Sequence, residues 1–212
     1  MKYPADAQLY GILDLGYVDA GSATEVADGM LDGGVQILQL RAKGRTAGEI
    51  LSVAQGLAVI CRKFGVPLIL NDHPELVGEA GADGVHVGQD DVSVAEARSL
   101  AGEGAIVGLS THSLAQAEAS VVLRPDYIGF GPLFATPTKP DYAAIGTGDV
   151  REVHRRVSLP VFCIGGIKRE NLKAVIEAGA QRVVIVSGIL TAPDIAAYVR
   201  ECLTFLNSPP PP

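Results

Sequence analysis

The chain has 212 residues, of which 48% are hydrophobic and 19% charged, and these proportions exclude disorder for the bulk of the sequence. The formal net charge of −7 argues against a general binder of nucleic acid or of membrane surfaces, because both need a basic patch. No apolar run reaches the roughly 18 residues of a membrane span, and the first residues show no signal-peptide core. We therefore expect a soluble, cytoplasmic protein with no nucleic-acid or membrane partner.

Cysteine usage supports this expectation. Cys61, Cys163 and Cys202 are far apart, odd in number and set in apolar sequence. This pattern predicts buried thiols in a reducing compartment rather than a disulfide framework or a metal site.

Short apolar runs alternate with stretches of helical periodicity along the whole chain. The runs are rich in Val, Ile and Leu, which is typical of parallel strands buried on both faces; they span 9–13, 35–40, 67–70, 84–87, 106–109, 127–130, 161–164 and 183–186. Helix candidates between them include 46–64, 93–101, 113–121 and 170–178. Thr46 and Ser93 each precede a glutamate by three residues, as helix-capping residues do.

Eight strand and helix pairs in about 200 residues predict an α/β fold, a (β/α)8 TIM barrel. A doubly wound sheet is the competing architecture, but it would normally need fewer strands for this length. We expect one catalytic domain over residues 1–206. The proline-rich tail, 207–212, is expected to be disordered because it can join neither helix nor sheet.

In such a barrel, functional side chains gather where the strands end. The second strand continues into Gln39, Arg41 and Lys43, which strand alternation points in one direction. Three donors, two of them cationic, suit a diphosphate or polyphosphate. Salt bridges at a solvated strand end would also explain these residues.

Acidic residues follow the next two strands. The third strand ends in Asn71 and Asp72, and the fourth leads through His86 to Asp90 and Asp91. Mg²⁺ typically takes one or two protein carboxylates together with substrate phosphates, so a metal-bridged diphosphate is predicted here. One aspartate of the 90–91 pair can instead cap the following helix. His86 is interpreted as a hydrogen-bonded barrel residue rather than a ligand.

The later strand ends carry hydroxyl groups and an ammonium. Ser110 follows the fifth strand, where a helix cap would explain it without chemistry. The stretch 131–140 holds Thr136, Thr138 and Lys139 in a proline-stiffened loop that suits a lid or an anion clamp. No Ser, Cys or Lys is expected beside a base as an activated nucleophile.

Glycines follow the last two strands, in 164–167 and 186–188. Loops at these two positions form the phosphate site that many barrels share. The residues by themselves therefore predict two anion sites and one divalent cation at the barrel mouth.

Taken in chain order, six motifs resemble the signature set of the thiamine phosphate synthase family: 39–43, 71–72, 83–91, 131–139, 164–167 and 186–187. That family joins an aminomethylpyrimidine diphosphate to thiazole phosphate and releases diphosphate. The resemblance implies a transferase of thiamine biosynthesis that uses Mg²⁺ and small phosphorylated substrates. It leaves the oligomeric state open, a homo-oligomer included.

The resemblance also implies a role for each matching residue. The pyrimidine diphosphate would be held by Gln39, Arg41, Lys43, Asn71, Ser110 and Lys139. Within that set, catalysis would fall to Arg41, Lys43, Ser110 and Lys139. Mg²⁺ would be coordinated by Asp72 and Asp91. The thiazole phosphate would be held by Thr136, Thr138, Gly166, Val186 and Ser187.

Two other functions remain open at this point. A thiazole tautomerase is an isomerase on the same barrel, and it resembles the chain around 108–113 and at the last two strands. Such an enzyme would have little use for Asn71, the two aspartates and Lys139 together. The second alternative is a non-catalytic phosphate-binding barrel, because a fold alone does not imply an activity.

Overall fold

The structure, a computed structural model, describes residues 6–136 and 143–207. Within these residues, eight parallel strands close into a barrel in the order in which they occur along the chain, and β1 therefore pairs with both β2 and β8. The strands are β1 (Leu9–Asp14), β2 (Ile37–Arg41), β3 (Leu68–Asn71), β4 (Gly84–Val87), β5 (Ile106–Thr111), β6 (Tyr127–Phe130), β7 (Val161–Cys163) and β8 (Val183–Ile185). The predicted TIM barrel is confirmed.

Helices connect successive strands. They are α1 (Ala23–Asp32), α2 (Ala47–Phe64), α3 (Val77–Ala80), α4 (Val94–Ala101), α5 (Leu114–Ser120), α6 (Val150–Arg156), α7 (Arg169–Glu177), α8 (Ser187–Leu190) and α9 (Ile195–Leu206). Short 3-10 turns lie at Ala20–Ser22, Pro74–Leu76 and Val121–Leu123. No helix in the part of the chain that the structure describes is long and apolar enough to cross a membrane.

Local sequence signals account for the longest helix, α2. Thr46 accepts a hydrogen bond from the Glu49 backbone, and the Glu49 carboxylate accepts one from the Thr46 backbone, which closes a capping box. Gly65 ends the helix in the left-handed conformation with φ of 69°. The predicted start and end of this helix are therefore confirmed to within one residue.

Several strand boundaries differ from the prediction by one or two residues, and the start of β2 is one of them. The strand expected from residue 35 begins only at Ile37. Val35 N donates to Met30 O, so Val35 completes the turn that ends α1. Gln36 Oε1 accepts hydrogen bonds from the backbone N–H groups of Gln8 and Leu9, which fixes the entry into β1 and β2.

The hydrophobic core has two layers. Outward-facing strand residues pack against the helices, as Leu38, Leu70 and Val85 do. The barrel interior is filled by a smaller cluster whose largest members are Tyr10, Tyr127 and Phe162, in edge-to-face contact with centroids 5.5–5.7 Å apart. These three rings form the floor of the barrel mouth, here called the aromatic floor.

The three cysteines are free and buried, as predicted. Burial raises the pKa of the Cys163 thiol to about 12, so this group stays protonated at neutral pH. The tail from residue 208 onward lies outside the described residues.

Candidate active site

A pocket opens at the carboxyl ends of the strands, above the aromatic floor. Its wall contains most of the residues that the sequence singled out: Gln39, Arg41, Asn71, Ser110, Thr136, Gly166, Val186 and Ser187. Lys43, Asp72 and Asp91 are not part of this wall. Thr138 and Lys139 lie outside the described residues. One concave site therefore unites eight predicted residues from six strand ends.

The guanidinium of Arg41 is held in the wall by a partner that sequence reasoning missed. Strand register places Asp14 opposite Arg41, and Arg41 Nη1 donates to Asp14 Oδ2 at 2.7 Å. Asp14 Oδ1 also accepts a hydrogen bond from Gly16 N at 2.8 Å, which orients the carboxylate. The only sequence signal for this partner is a carboxylate at the end of the neighbouring strand.

Lys43 and Asp72 form an ion pair beside the pocket. Asp72 has a φ of 65°, a left-handed conformation that is uncommon for a non-glycine residue, and its backbone N–H donates to His86 O at 2.9 Å. Apart from the ion pair, the buried Asp72 Oδ2 accepts no hydrogen bond from any described residue. A strained backbone that turns a carboxylate oxygen toward a cationic side chain is typical of a functional site.

Asp91 lies in the turn that follows β4. Its Oδ2 accepts a hydrogen bond from Gly88 N at 2.7 Å and so closes that turn. Neither Asp90 nor Asp91 caps α4, because Ser93 does so by accepting from Glu96 N. The capping alternative weighed for this aspartate pair is wrong.

The described residues contain no group of three or more His, Cys, Asp or Glu side chains that could hold a metal ion. A cation here would therefore depend on Asp72, on Asp91 and on oxygens of the substrate. Mg²⁺ is commonly bound in that way, through one or two carboxylates plus phosphate oxygens. The Asp72 carboxylate, whose Oδ2 already faces the positive charge of Lys43, fits such an ion.

Ser110 does not cap a helix. The N-cap of α5 is Ser113, and Ser110 Oγ instead lies 2.9 Å from His86 Nε2. This contact forms because β4 and β5 are neighbours whose inward residues meet across the pocket wall. That no serine acts as an activated nucleophile stays a prediction. His86 itself is a hydrogen-bonded barrel residue, as predicted.

The loops after β6 and β7 pack against each other through glycine. Gly165 and Gly166 have φ of 97° and 63°. A Cβ atom on Gly165 would lie 2.3 Å from Pro132 Cβ, and one on Gly166 would lie 2.7 Å from Phe134 Cβ. Only glycine permits this approach, which brings Thr136 to the same pocket as Gly166.

The inner lining of the pocket was the part that sequence reasoning missed. Tyr10, Tyr127 and Phe162 come from β1, β6 and β7, and all three are buried beneath the polar groups. Alternation along each strand was the available signal, since it points every second residue inward.

Comparison with known proteins finds relatives that match over most of the chain. The family model described as thiamine monophosphate synthase matches residues 9–189. The thiamine-phosphate synthase of Chloroflexus aurantiacus is 40% identical over 92% of this chain and 91% of its own length. That of Pelotomaculum thermopropionicum is 41% identical over 95% and 93%.

Solved structures agree with these relatives. The thiamine phosphate pyrophosphorylase from Pyrococcus furiosus superimposes with a TM-score of 0.86 at 26% identity, covering 95% of this chain and 96% of that one. A 3-hexulose-6-phosphate synthase from Salmonella typhimurium, at 18% identity and a TM-score of 0.70 over 94% and 98% of the two chains, shares the fold alone.

Proposed function

The chain belongs to the thiamine monophosphate synthase family, and on that premise we propose that it joins an aminomethylpyrimidine diphosphate to thiazole phosphate, giving thiamine phosphate and diphosphate. The observation that carries the proposal is the pocket, which unites Gln39, Arg41, Asn71 and Ser110 with Gly166, Val186 and Ser187. The first four residues suit one phosphorylated substrate and the last three suit the other, and the shared pocket would bring the two substrates into contact.

Charge supports placing the diphosphate at the β2 and β3 side. Arg41 lines that wall, and Lys43 lies next to Asp72 just beyond Asn71. Guanidinium and ammonium groups are strong hydrogen-bond donors to phosphate oxygens. Lys139 belongs to the same proposed set, although it lies outside the described residues.

The thiazole phosphate is assigned to the opposite side of the mouth. Gly166, Val186 and Ser187 lie in the segments after β7 and β8, where many barrels bind phosphate. Thr136 reaches the same pocket from the loop after β6, and Thr138 would extend this set. Backbone N–H and hydroxyl groups suit a phosphomonoester.

Asp72 and Asp91 are the residues that would hold Mg²⁺. Bound Mg²⁺ supplies positive charge that stabilises the negative charge of departing diphosphate. Lys43 forms an ion pair with Asp72, one of these two carboxylates. Arg41 and Lys43 contribute fixed positive charge of their own, which the pocket wall positions before the reaction begins.

The reaction needs one bond broken and one bond formed. The carbon–oxygen bond between the pyrimidine methylene group and the diphosphate breaks, and its electron pair leaves with the diphosphate. The lone pair of the thiazole nitrogen then forms a bond to the methylene carbon. No proton has to be removed from the nitrogen, so the residues need only align the substrates and stabilise the leaving group.

The direct test is to combine the purified protein with both substrates and Mg²⁺ and to measure thiamine phosphate and diphosphate. Equal amounts of the two products are expected. Turnover of thiazole phosphate to a tautomer without coupling would contradict the proposal. Neither the thiazole tautomerase nor a non-catalytic barrel gains support from the comparisons, since the relatives described above are named as synthases.

A further inference from the structure

Five inward-facing side chains form a continuous series of hydrogen bonds across the floor of the pocket. Gln39 Nε2 donates to Tyr10 Oη at 2.7 Å, and the hydroxyls of Tyr10 and Tyr127 are 2.9 Å apart. Tyr127 Oη lies 3.1 Å from His86 Nδ1, and His86 Nε2 lies 2.9 Å from Ser110 Oγ. This series, here called the relay, connects two pocket residues that come from β2 and β5.

The barrel backbone makes room for the relay at one position. A Cβ atom on Gly108 would lie 2.4 Å from Tyr127 Oη and 2.5 Å from His86 Nδ1. Gly108 pairs with both His86 and Tyr127 in strand register. The missing side chain is therefore what lets the histidine and the tyrosine meet.

The relay has a direction because each hydroxyl carries one proton and a neutral imidazole carries one N–H group. Gln39 Nε2 is the donor to Tyr10 Oη. Either hydroxyl could be the donor in the contact between Tyr10 and Tyr127, and the direction inferred here has Tyr10 donate to Tyr127. Tyr127 then donates to His86 Nδ1, which must be the unprotonated nitrogen. His86 consequently bears its proton on Nε2 and donates to Ser110.

This direction determines what the two ends present to a ligand. Ser110 Oγ accepts from His86, so its own hydrogen is left for an oxygen in the pocket. Gln39 uses its amide nitrogen on Tyr10, and no described residue donates to Gln39 Oε1. One end of the relay thus offers a donor suited to an anion, and the other offers an acceptor suited to an amino group.

If the hydrogen bonds of the relay ran in the opposite direction, Ser110 would have a different chemical role. If Gln39 accepted from Tyr10, every proton would shift by one link and His86 Nε2 would accept the proton of Ser110. Ser110 would then be a base-activated hydroxyl with lone pairs facing the pocket. A negatively charged ligand would be repelled by such an oxygen, and a hydroxyl nucleophile has no part in the proposed reaction.

We propose that Tyr10 and Tyr127 are positioning residues that keep His86 in the Nε2–H tautomer, and that His86 in turn positions Ser110. Ser110 then donates a hydrogen bond to anionic oxygens, and Gln39 accepts one from an amino group. The identity of these ligands rests on the proposed function, whereas the tautomer does not. Ser110 accordingly donates a hydrogen bond to an anion and does not act as a nucleophile.

The tautomer can be measured on the full chain without any substrate. Two-bond ¹H–¹⁵N spectra of protein labelled with ¹⁵N-histidine distinguish Nε2–H from Nδ1–H imidazole. The signals of His86 are assigned by comparison with the variant His86→Gln, since the chain has four histidines. We expect the Nε2–H pattern at neutral pH. An Nδ1–H pattern, or a doubly protonated ring, overturns the proposal.

A second measurement tests the connection between the ends. Tyr127→Phe interrupts the relay, so the His86 signals are expected to shift toward a mixture of tautomers. Binding of inorganic diphosphate with Mg²⁺ should weaken about threefold, compared with about tenfold for Ser110→Ala. Tyr17→Phe, at an exposed tyrosine outside the relay, is the matched control and should change neither quantity.

Tyr10→Phe provides a further interruption if Tyr127→Phe does not fold. Unchanged His86 signals in a folded relay variant would contradict the proposal. Failure of the proposed function gives a different result: no thiamine phosphate is formed while the Nε2–H pattern is still present.

Discussion

Arg41 and Asp14 form an ion pair across the first two strands of the barrel, with 2.7 Å between Nη1 and Oδ2 and with side chains 16% and 3% exposed. Burial at this level makes each charge depend on the other, because an unpaired charge at such a site is strongly destabilising. The pair holds a guanidinium in the wall of the pocket. We therefore expect Asp14 to affect anion binding through Arg41.

Replacing this carboxylate should weaken binding of the pyrimidine diphosphate. In Asp14→Asn, the amide oxygen can still accept from Gly16 N, but the charge that holds Arg41 is lost. We expect KM for the diphosphate substrate to rise about tenfold, with KM for thiazole phosphate nearly unchanged. Steady-state kinetics with each substrate varied in turn measure both.

Two variants provide the comparison for Asp14→Asn. Asp14→Ala loses the turn contact as well and should reduce the free energy of unfolding by about 3 kcal/mol or more. Asp32→Asn removes an exposed carboxylate paired with Arg200 and should leave both KM values unchanged. An equal rise of both KM values in Asp14→Asn would argue for a general disturbance of the barrel.

Asp72→Asn should impair the use of Mg²⁺. The variant removes the negative charge of a proposed Mg²⁺ ligand, so the apparent Mg²⁺ concentration for half-maximal turnover should rise at least about tenfold. Removal of the metal with a chelator should abolish turnover of the unmodified protein. Titration of activity with Mg²⁺ measures the first effect.

Asp90→Asn is the matched control for the metal prediction, since this exposed carboxylate is adjacent to the proposed ligand Asp91. It should leave the Mg²⁺ dependence unchanged, whereas Asp91→Asn should shift it. A shift caused by Asp90→Asn alone would assign the metal to Asp90 instead. Binding of thiazole phosphate to Asp72→Asn should remain nearly normal, and its loss would make Asp72 a structural residue.

Tyr198 of α9 connects the beginnings of α7 and α8, which follow the two proposed phosphate segments. Its hydroxyl accepts a hydrogen bond from Arg169 N at 2.7 Å, and a Cβ atom on Gly188 would lie 2.5 Å from that oxygen. Gly188→Ala should therefore raise KM for thiazole phosphate and lower the thermal midpoint, because the methyl group displaces one of these segments.

A double variant tests this packing. Tyr198→Phe removes the hydroxyl. The ring atom Cζ would then be the nearest atom of residue 198, 3.2 Å from the methyl group that Gly188→Ala introduces. The combination with Gly188→Ala should thus be less damaging than the sum of the single changes, with a coupling energy of about 1 kcal/mol. Additive losses in thermal stability would show that the hydroxyl is not what excludes a side chain.

Stability should decline in mild acid because of His154. Burial first, and then the charge of Arg182, lowers the pKa of this imidazole from 6.5 to about 4. Between these two values the unfolded chain binds a proton that the folded protein does not, so the free energy of unfolding falls as the pH drops through this range. Above pH 6.5 the imidazole is neutral in both states and contributes no pH dependence.

Urea unfolding measured at about pH 7.5 and about pH 5 tests this effect. His154→Gln should lose most of the difference between the two pH values. His73→Gln, at an exposed histidine paired with Glu75, should retain it. If both variants keep the full pH dependence, other groups are responsible for the decline.

Local patterns were sufficient for the fold. Each strand was visible as an apolar run, and α2 as a periodic stretch that begins at a capping box and ends at a left-handed glycine. These signals depend on neighbouring residues only. Placing the functional side chains at strand ends followed from the barrel itself, so Gln39, Arg41 and Asn71 were predicted as pocket residues without any knowledge of their contacts.

Which side chains meet across the mouth was decided by the tertiary structure alone. Arg41 meets Asp14 and Ser110 meets His86 because the pairing of neighbouring strands sets the register between residues that lie 27 and 24 positions apart in the chain. The sequence pattern of one strand does not determine which residues of the neighbouring strand lie opposite it. A one-residue shift in register would exchange inward and outward side chains. The sequence alone determined the architecture and the set of polar residues at its mouth, and the closed barrel determined their partners.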